Sequence, residues 1–250
     1  MIDLHFTGDM DDARRDAFDC AARRWDAIIE TGFEPIDVEG ATLDGVLIEA
    51  SIAPIDGVGH VLGQAGPTHL RPNSHLPAKG IMAFDAADIA ALEEAGSFRD
   101  VILHEMAHVL GFGTLWALKG LIAGSGTTNP RFVGEAASAE YTALAGHTAP
   151  TPVPVANTGG AGTREGHWRE LVFGDELLTG FLSGQERPIS RMSVASFADL
   201  GYAVDFAKAD AYTLPTFRQL AEMGLTEAVR VADLCNVDRP RPVILPPRGS

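Results

Sequence analysis

The stretch that most limits the fold is VILHEMAHVLGFGTLW, residues 101–116. Val101, Ile102, Val109 and Leu110 recur at helical spacing, and Gly111 and Gly113 supply a stop. The chain must therefore build a helix here and bury it. On a helix, positions i and i+4 lie one turn apart on the same face. His104 and His108 can aim two imidazole nitrogens at one point, about 2 Å from each, which is a zinc–nitrogen bond length. Glu105 stands about 100° around the helix. It flanks that point instead of occupying it, where a general base for metal-activated water has to be. The bland alternative is a structural helix with incidental histidines. A zinc site also needs a third protein ligand, and this stretch holds none.

The 250 residues are enough for one large domain or two closely packed lobes. A formal charge of −15 argues against nucleic acid or an anionic membrane as the main partner. The two cysteines, Cys20 and Cys235, stand near opposite ends, so unpaired thiols are expected over a disulfide scaffold. The opening MIDLHFTGDMDDARRD has neither a basic n-region nor an apolar h-region, so no signal peptide is expected there. No apolar run approaches about 18 residues, so no membrane span is expected. Composition assigns neither a compartment nor an oligomeric state.

Along the chain, Ile2 to Phe6 reads as a strand. Residues 10–30 read as an amphipathic helix with Ala17, Ala21, Trp25, Ile28 and Ile29 on one face. Residues 45–56 are a β-branched strand ending in a turn. Residues 59–71 are a weaker extended segment whose Gly and Pro suit a sheet edge. Residues 80–96 predict a strand running into a short helix. Ser97 is the expected N-cap of the helix through 112, with Asp100 at the capping-box position.

From 113 to 166 the chain turns rich in Gly, Pro, Thr and Asn around one helical patch near 135–146. So long an irregular region inside a compact domain is usually functional. Residues 189–205 predict a tight turn, a helix and a short strand. The tail NVDRPRPVILPPRGS is Pro/Arg-rich, and roughly its whole length is expected to be extended or disordered. Asp56, Asp85 and Asp88 are scattered acids and form no calcium loop.

For the third ligand the remaining histidines are His5, His60, His69, His75, His147 and His167. Glu135 and Glu140 are the glutamates that a gluzincin-type site would use, an option the glycine break after His108 disfavours. Three motifs narrow the choice. HEMAHVLGFGTLW, NTGGAGTREGHWRELVFGDELLTG and PISRMSVASFADLGYAVD, in that order, resemble the leishmanolysin-type metzincin proteases. The likeness covers residues 80–205 well and the N-terminal part more loosely.

That resemblance implies an α+β fold: a metzincin-like two-lobed catalytic domain at 1–205, with a twisted mixed sheet, backing and active-site helices, and an irregular C-terminal lobe. The lobes would span about 1–112 and 113–205, and 206–250 would be an extension whose last part, roughly 15 residues, is disordered. The resemblance implies one Zn2+ per chain, held by His104, His108 and His167, with Glu105 as general base. Met192 would be the methionine of a turn packed beneath the metal. Most metzincins place the third histidine three residues after the glycine; Thr114 stands there instead. Several place a tyrosine two residues after the turn methionine; here that residue is Val194. Cys20 falls in a predicted helix, so no cysteine latch over the metal is visible.

The expected activity is zinc-dependent endopeptidase cleavage of peptide or protein substrates in a cleft between the lobes. An extended peptide would pair with the 59–71 segment. The alternative is a zinc-stabilised binding or adhesion module without turnover.

Overall fold

The computed structural model describes residues 1–55, 57, 63–160, 162–180, 187–223 and 237–247. Asp56, His60 and Cys235 lie outside the described residues. The chain forms two compact units, one of residues 1–114 with 236–250 and one of residues 115–235.

In the first unit the elements are β1 (Ile2–Phe6), α1 (Asp12–Ile28), β2 (Ile36–Val38), β3 (Ala41–Leu43) and β4 (Val46–Ala53). Then come β5 (Gly63–Leu70), β6 (Pro77–Asp85), α2 (Ala86–Glu94) and α3 (Phe98–Val109). The main sheet runs β1-β4-β6-β5. β1, β4 and β6 are parallel, and β5 is antiparallel to β6. The sheet is thus mixed, and the whole is an α and β arrangement compatible with the expected α+β class.

Strict alternation in β4 sends Val46, Ile48, Ala50 and Ile52 to a buried face. Asp11 caps α1 by accepting from Arg14 N at 2.8 Å. The helix then buries Ala17, Phe18, Ala21, Ala22, Trp25 and Ile28. Trp25 Nε1 donates to Leu103 O at 2.9 Å, which fastens α1 to α3 by a buried polar contact as well as by packing. Asp85 closes β6 and opens α2: one carboxylate oxygen accepts from Ala87 N and the other from Ile55 N and Gly57 N.

Ser97 departs from expectation. It occupies the N-cap position of α3 in the αR conformation and makes no side-chain capping bond. Its own N–H is already bound to Leu92 O at 2.8 Å, so the residue continues the end of α2 and lacks the extended shape a capping hydroxyl needs. Part of the Pro/Arg-rich tail is also ordered. β10 (Val237–Asp238) and β11 (Val243–Ile244) both pair in parallel with β5. Residues 59–62 of the expected edge segment lie outside the described residues, and its described strand, β5, is next to the sheet's margin and does not form it.

Among its described residues the second unit carries three two-residue strands, β7 (Ile122–Ala123), β8 (Arg131–Phe132) and β9 (Val153–Pro154), in one antiparallel sheet. Its helices are α4 (Glu135–Leu144), α5 (Glu170–Phe173), α6 (Arg191–Leu200) and α7 (Phe217–Glu222). With so little regular structure, aromatic packing supplies the core. Trp116 and Trp168 lie 5.1 Å apart, and Phe132 touches both at 5.0 and 5.4 Å. The strand expected after α6 shrinks to a single bridging residue, Val204.

Candidate metal centre

The end of α3 shapes its own histidine. Leu110 caps the helix and Gly111 follows at φ +109°, a conformation glycine adopts without steric penalty. Gly111 N donates to His108 O and Phe112 N to Ala107 O, the paired bonds of a Schellman motif. The reversal brings Phe112 O to 2.8 Å from His108 Nδ1. A carbonyl only accepts, so Nδ1 carries the proton and Nε2 is the nitrogen left to bind a metal. Thr114, at the position where a nearby ligand was absent from the sequence, donates its hydroxyl to His108 O at 2.8 Å. It braces the helix end.

His104 and His108 are both buried, with their Nε2 atoms 3.1 Å apart. Two nitrogens bound to one tetrahedral zinc at about 2.0–2.1 Å stand about 3.3 Å from each other. The pair is spaced for a shared ion. Glu105, one residue on, is also buried, and that burial pushes its carboxyl up to about 8 while the Arg239 charge pulls the other way.

His167 is placed differently. It follows a tight turn, and its Nδ1 lies 3.1 Å from Thr163 O, so again the second nitrogen is the one left to coordinate. Backbone bonds on both sides hold the segment: Ala156 N to His167 O, and Trp168 N to Leu178 O. His104, His108 and His167 each offer one nitrogen, and these atoms lie within 4.8 Å of one another, a group that could hold a metal ion. Three neutral imidazoles are the ligand set of a zinc site that keeps a fourth position open. The residues present fit zinc.

The other candidates stand elsewhere. His147 is exposed, with Nδ1 3.1 Å from Thr151 Oγ1. Glu140 makes a two-pronged ion pair with Arg191. His5 is exposed on β1, His69 and His75 are half-buried, and Glu135 is exposed at the start of α4. Met192 is buried in the first turn of α6.

Sequence reasoning missed the group that sets that turn. Glu176 is buried and accepts from Leu178 N at 2.7 Å, Ser190 N at 3.0 Å and Ser190 Oγ at 2.8 Å, and also from Ser193 Oγ. Ser193 Oγ in turn accepts from Trp168 Nε1 at 2.8 Å. One carboxylate thereby joins the residue after His167 to the residues on either side of Met192. Burial pushes the Glu176 carboxyl up and its donors draw it down. The available sign was an acid in an apolar stretch, Glu176 before Leu177 and Leu178, with hydroxyls at 190, 193 and 196.

The sequence model of the leishmanolysin family matches residues 37–219, most of the chain and every residue of this centre. The chain belongs to the leishmanolysin family. No curated protein sequence matches it at a significant level. Leishmanolysin-family membership implies metallopeptidase activity, and the family is zinc-dependent, in agreement with the three-histidine group. A peptidase acts on peptide or protein substrates. Among the described residues of this leishmanolysin-family chain, no helix is long and apolar enough to cross a membrane.

Proposed function

We propose that this chain is a zinc-dependent endopeptidase in which His104, His108 and His167 hold one Zn2+ and Glu105 is the general base. The observation that carries the reading is the buried Glu105 next in sequence to one of three histidines whose ligand atoms converge. Zinc bound there supplies a Lewis acid that polarises a carbonyl and makes water acidic near neutral pH.

The chain's own residues do the rest. Glu105 takes a proton from the attacking water and delivers it to the leaving amine nitrogen. Its burial keeps bulk water from competing for that proton and raises the basicity of its carboxylate. The Phe112 and Thr163 carbonyls hold the His108 and His167 rings by their Nδ1 protons, so both rings keep one tautomer through turnover. Met192, buried at the start of α6, takes the part of the turn methionine, a packing support and not a ligand. A peptide would lie extended along β5, where backbone pairing gives affinity with modest sequence selectivity.

The test is a mixed peptide library offered to the purified protein and to Glu105→Gln. The variant should lose about 10²- to 10⁴-fold in cleavage rate, the usual worth of a positioned acid–base group. Its zinc content should not change. Cleavage at the parent rate would remove Glu105 from the mechanism, and a zinc-loaded but inert parent chain would favour a binding module.

A further inference from the structure

The outer edge of β5 is already taken. Val237 and Asp238 pair with Gly63 and Gln64, and Val243 and Ile244 pair with His69 and Leu70, in both cases parallel. Leu245 N extends the ladder by donating to Leu70 O at 2.8 Å. Between these points Pro240 sits against Gly66. A Cβ added to Gly66 would come 2.9 Å from Pro240 Cδ, so the glycine is what lets the proline seat there. Residues 237–247 thus run along the strand where an extended peptide would pair.

The attachment is built to be weak. Each paired stretch is two residues long, and Pro240 and Pro242 have no N–H to give the ladder between them. Val243 and Ile244 remain 60% and 46% exposed, so they bury little apolar surface. Leu245 is the main apolar anchor, packed on Ile36, Val38 and Ala78. Covering a sheet edge is an ordinary protection against aggregation. Protection alone does not call for prolines that interrupt the pairing.

We infer that residues 237–247 are a self-supplied, displaceable occupant of the peptide-binding edge of β5, and that the peptides which replace them are extended segments with a proline at the position over Gly66. The first part makes the segment autoinhibitory. The second follows from the seat of Pro240 on a residue with no side chain to exclude its ring. The inference rests on β5 serving as the proposed function has it.

The experiment frees the segment without touching the centre. Leu245→Pro removes the bond to Leu70 O, and Pro240→Gly removes the ring seated against Gly66. The double variant should show kcat/KM on peptides raised about 10- to 100-fold, as for an edge that is open about 1–10% of the time in the parent. A synthetic peptide of residues 237–247, VDRPRPVILPP, should return it to the parent level by competition with substrate. An unchanged or lower kcat/KM, with normal zinc content and thermal unfolding, overturns the inference.

If the proline disturbs the sheet, Pro240→Gly alone should give a smaller rise of the same kind, and no rise counts against it. Binding of the fluorescently labelled peptide separates this inference from the proposed activity. Should neither chain cleave anything, the endopeptidase reading falls. Binding to the double variant and not to the parent would still support an occupied edge, whereas equal binding, or none to either, would end it.

Discussion

His108 and His167 reach the same chemical state by opposite routes. Both are buried, and both have Nδ1 turned to a backbone carbonyl. For His108 every part is local: His104 is one turn back, and Gly111 reverses the chain so that Phe112 O meets the ring. For His167 the support comes from residues spread from Ala156 to Ser193, through Thr163, Trp168, Leu178 and Glu176. A ligand set by helix geometry needs only a good helix and a stop. A ligand set in irregular chain needs a network, because no repeating backbone pattern fixes its direction.

The strongest way to break the comparison is to remove the proposed ligands themselves. His108→Ala and His167→Ala should both fall from about one zinc per chain towards none after dialysis, since each takes one of the three proposed ligands from a small ion. His147→Ala should keep its zinc, as its ring faces Thr151. Metal analysis of the three variants decides the set, and zinc loss in His147→Ala with zinc kept in His167→Ala would move the third ligand.

The next cut is at the network. Glu176→Ala strands the buried donors Leu178 N and Ser190 N together with two serine hydroxyls. The two hydroxyls can turn to each other, as they lie 3.4 Å apart, and the two stranded N–H groups cost about 1–3 kcal/mol each, so urea unfolding should show a loss of about 3 kcal/mol. Zinc affinity by chelator competition should drop about tenfold, at the lower end of outer-shell effects. A stability loss with unaltered zinc affinity would confine Glu176 to the core of its unit.

This contrast also explains what could be read from the sequence. The helix of residues 98–109, its stop and its two histidines are written in one short stretch, and periodicity with a glycine break is enough to see them. The α1 face and the β4 alternation were legible for the same reason, since Trp25 or Ile48 declares its burial through its neighbours. His167 was not legible from its surroundings. It came from the order of three motifs that resemble a family, because the turn at Thr163 and the reach of Glu176 to Ser190 depend on contacts far apart in the chain. The tail was half legible for a related cause. Its prolines and arginines suit an extended or a disordered segment alike, and the extended form at 237–238 and 243–244 depends on pairing with β5, far away in the sequence.

A smaller effect tests the local route. Gly111→Ala forces a side chain into the left-handed region at φ +109°, at a cost of about 1 kcal/mol or more. If the Schellman turn serves only to end the helix, stability alone should fall. If it also holds Phe112 O on His108, zinc affinity should weaken by up to about tenfold as the ring loses its partner. Equal zinc affinity in Gly111→Ala and the parent would mean that the ring is held by packing alone.

The smallest effect comes from two helix starts. Ser97 stands where sequence places a capping hydroxyl, but its side chain makes no capping bond to α3. Gly134, at the start of α4, has no side chain to cap with, and Asp199 of α6 does the work instead, accepting from Ala136 N and Ala137 N at 2.9 Å. Ser97→Ala should therefore shift stability by no more than about 0.5 kcal/mol, as surface changes do, whereas Asp199→Ala should cost about 1 kcal/mol, the usual worth of a lost cap. Zinc content should be unchanged in both. The reverse ranking in urea unfolding would mean that the local sequence, and not the distant carboxylate, governs how these helices begin. The rule that separates His108 from His167 would then stop at the metal centre, whereas the expected ranking extends it to helix starts away from the three histidines.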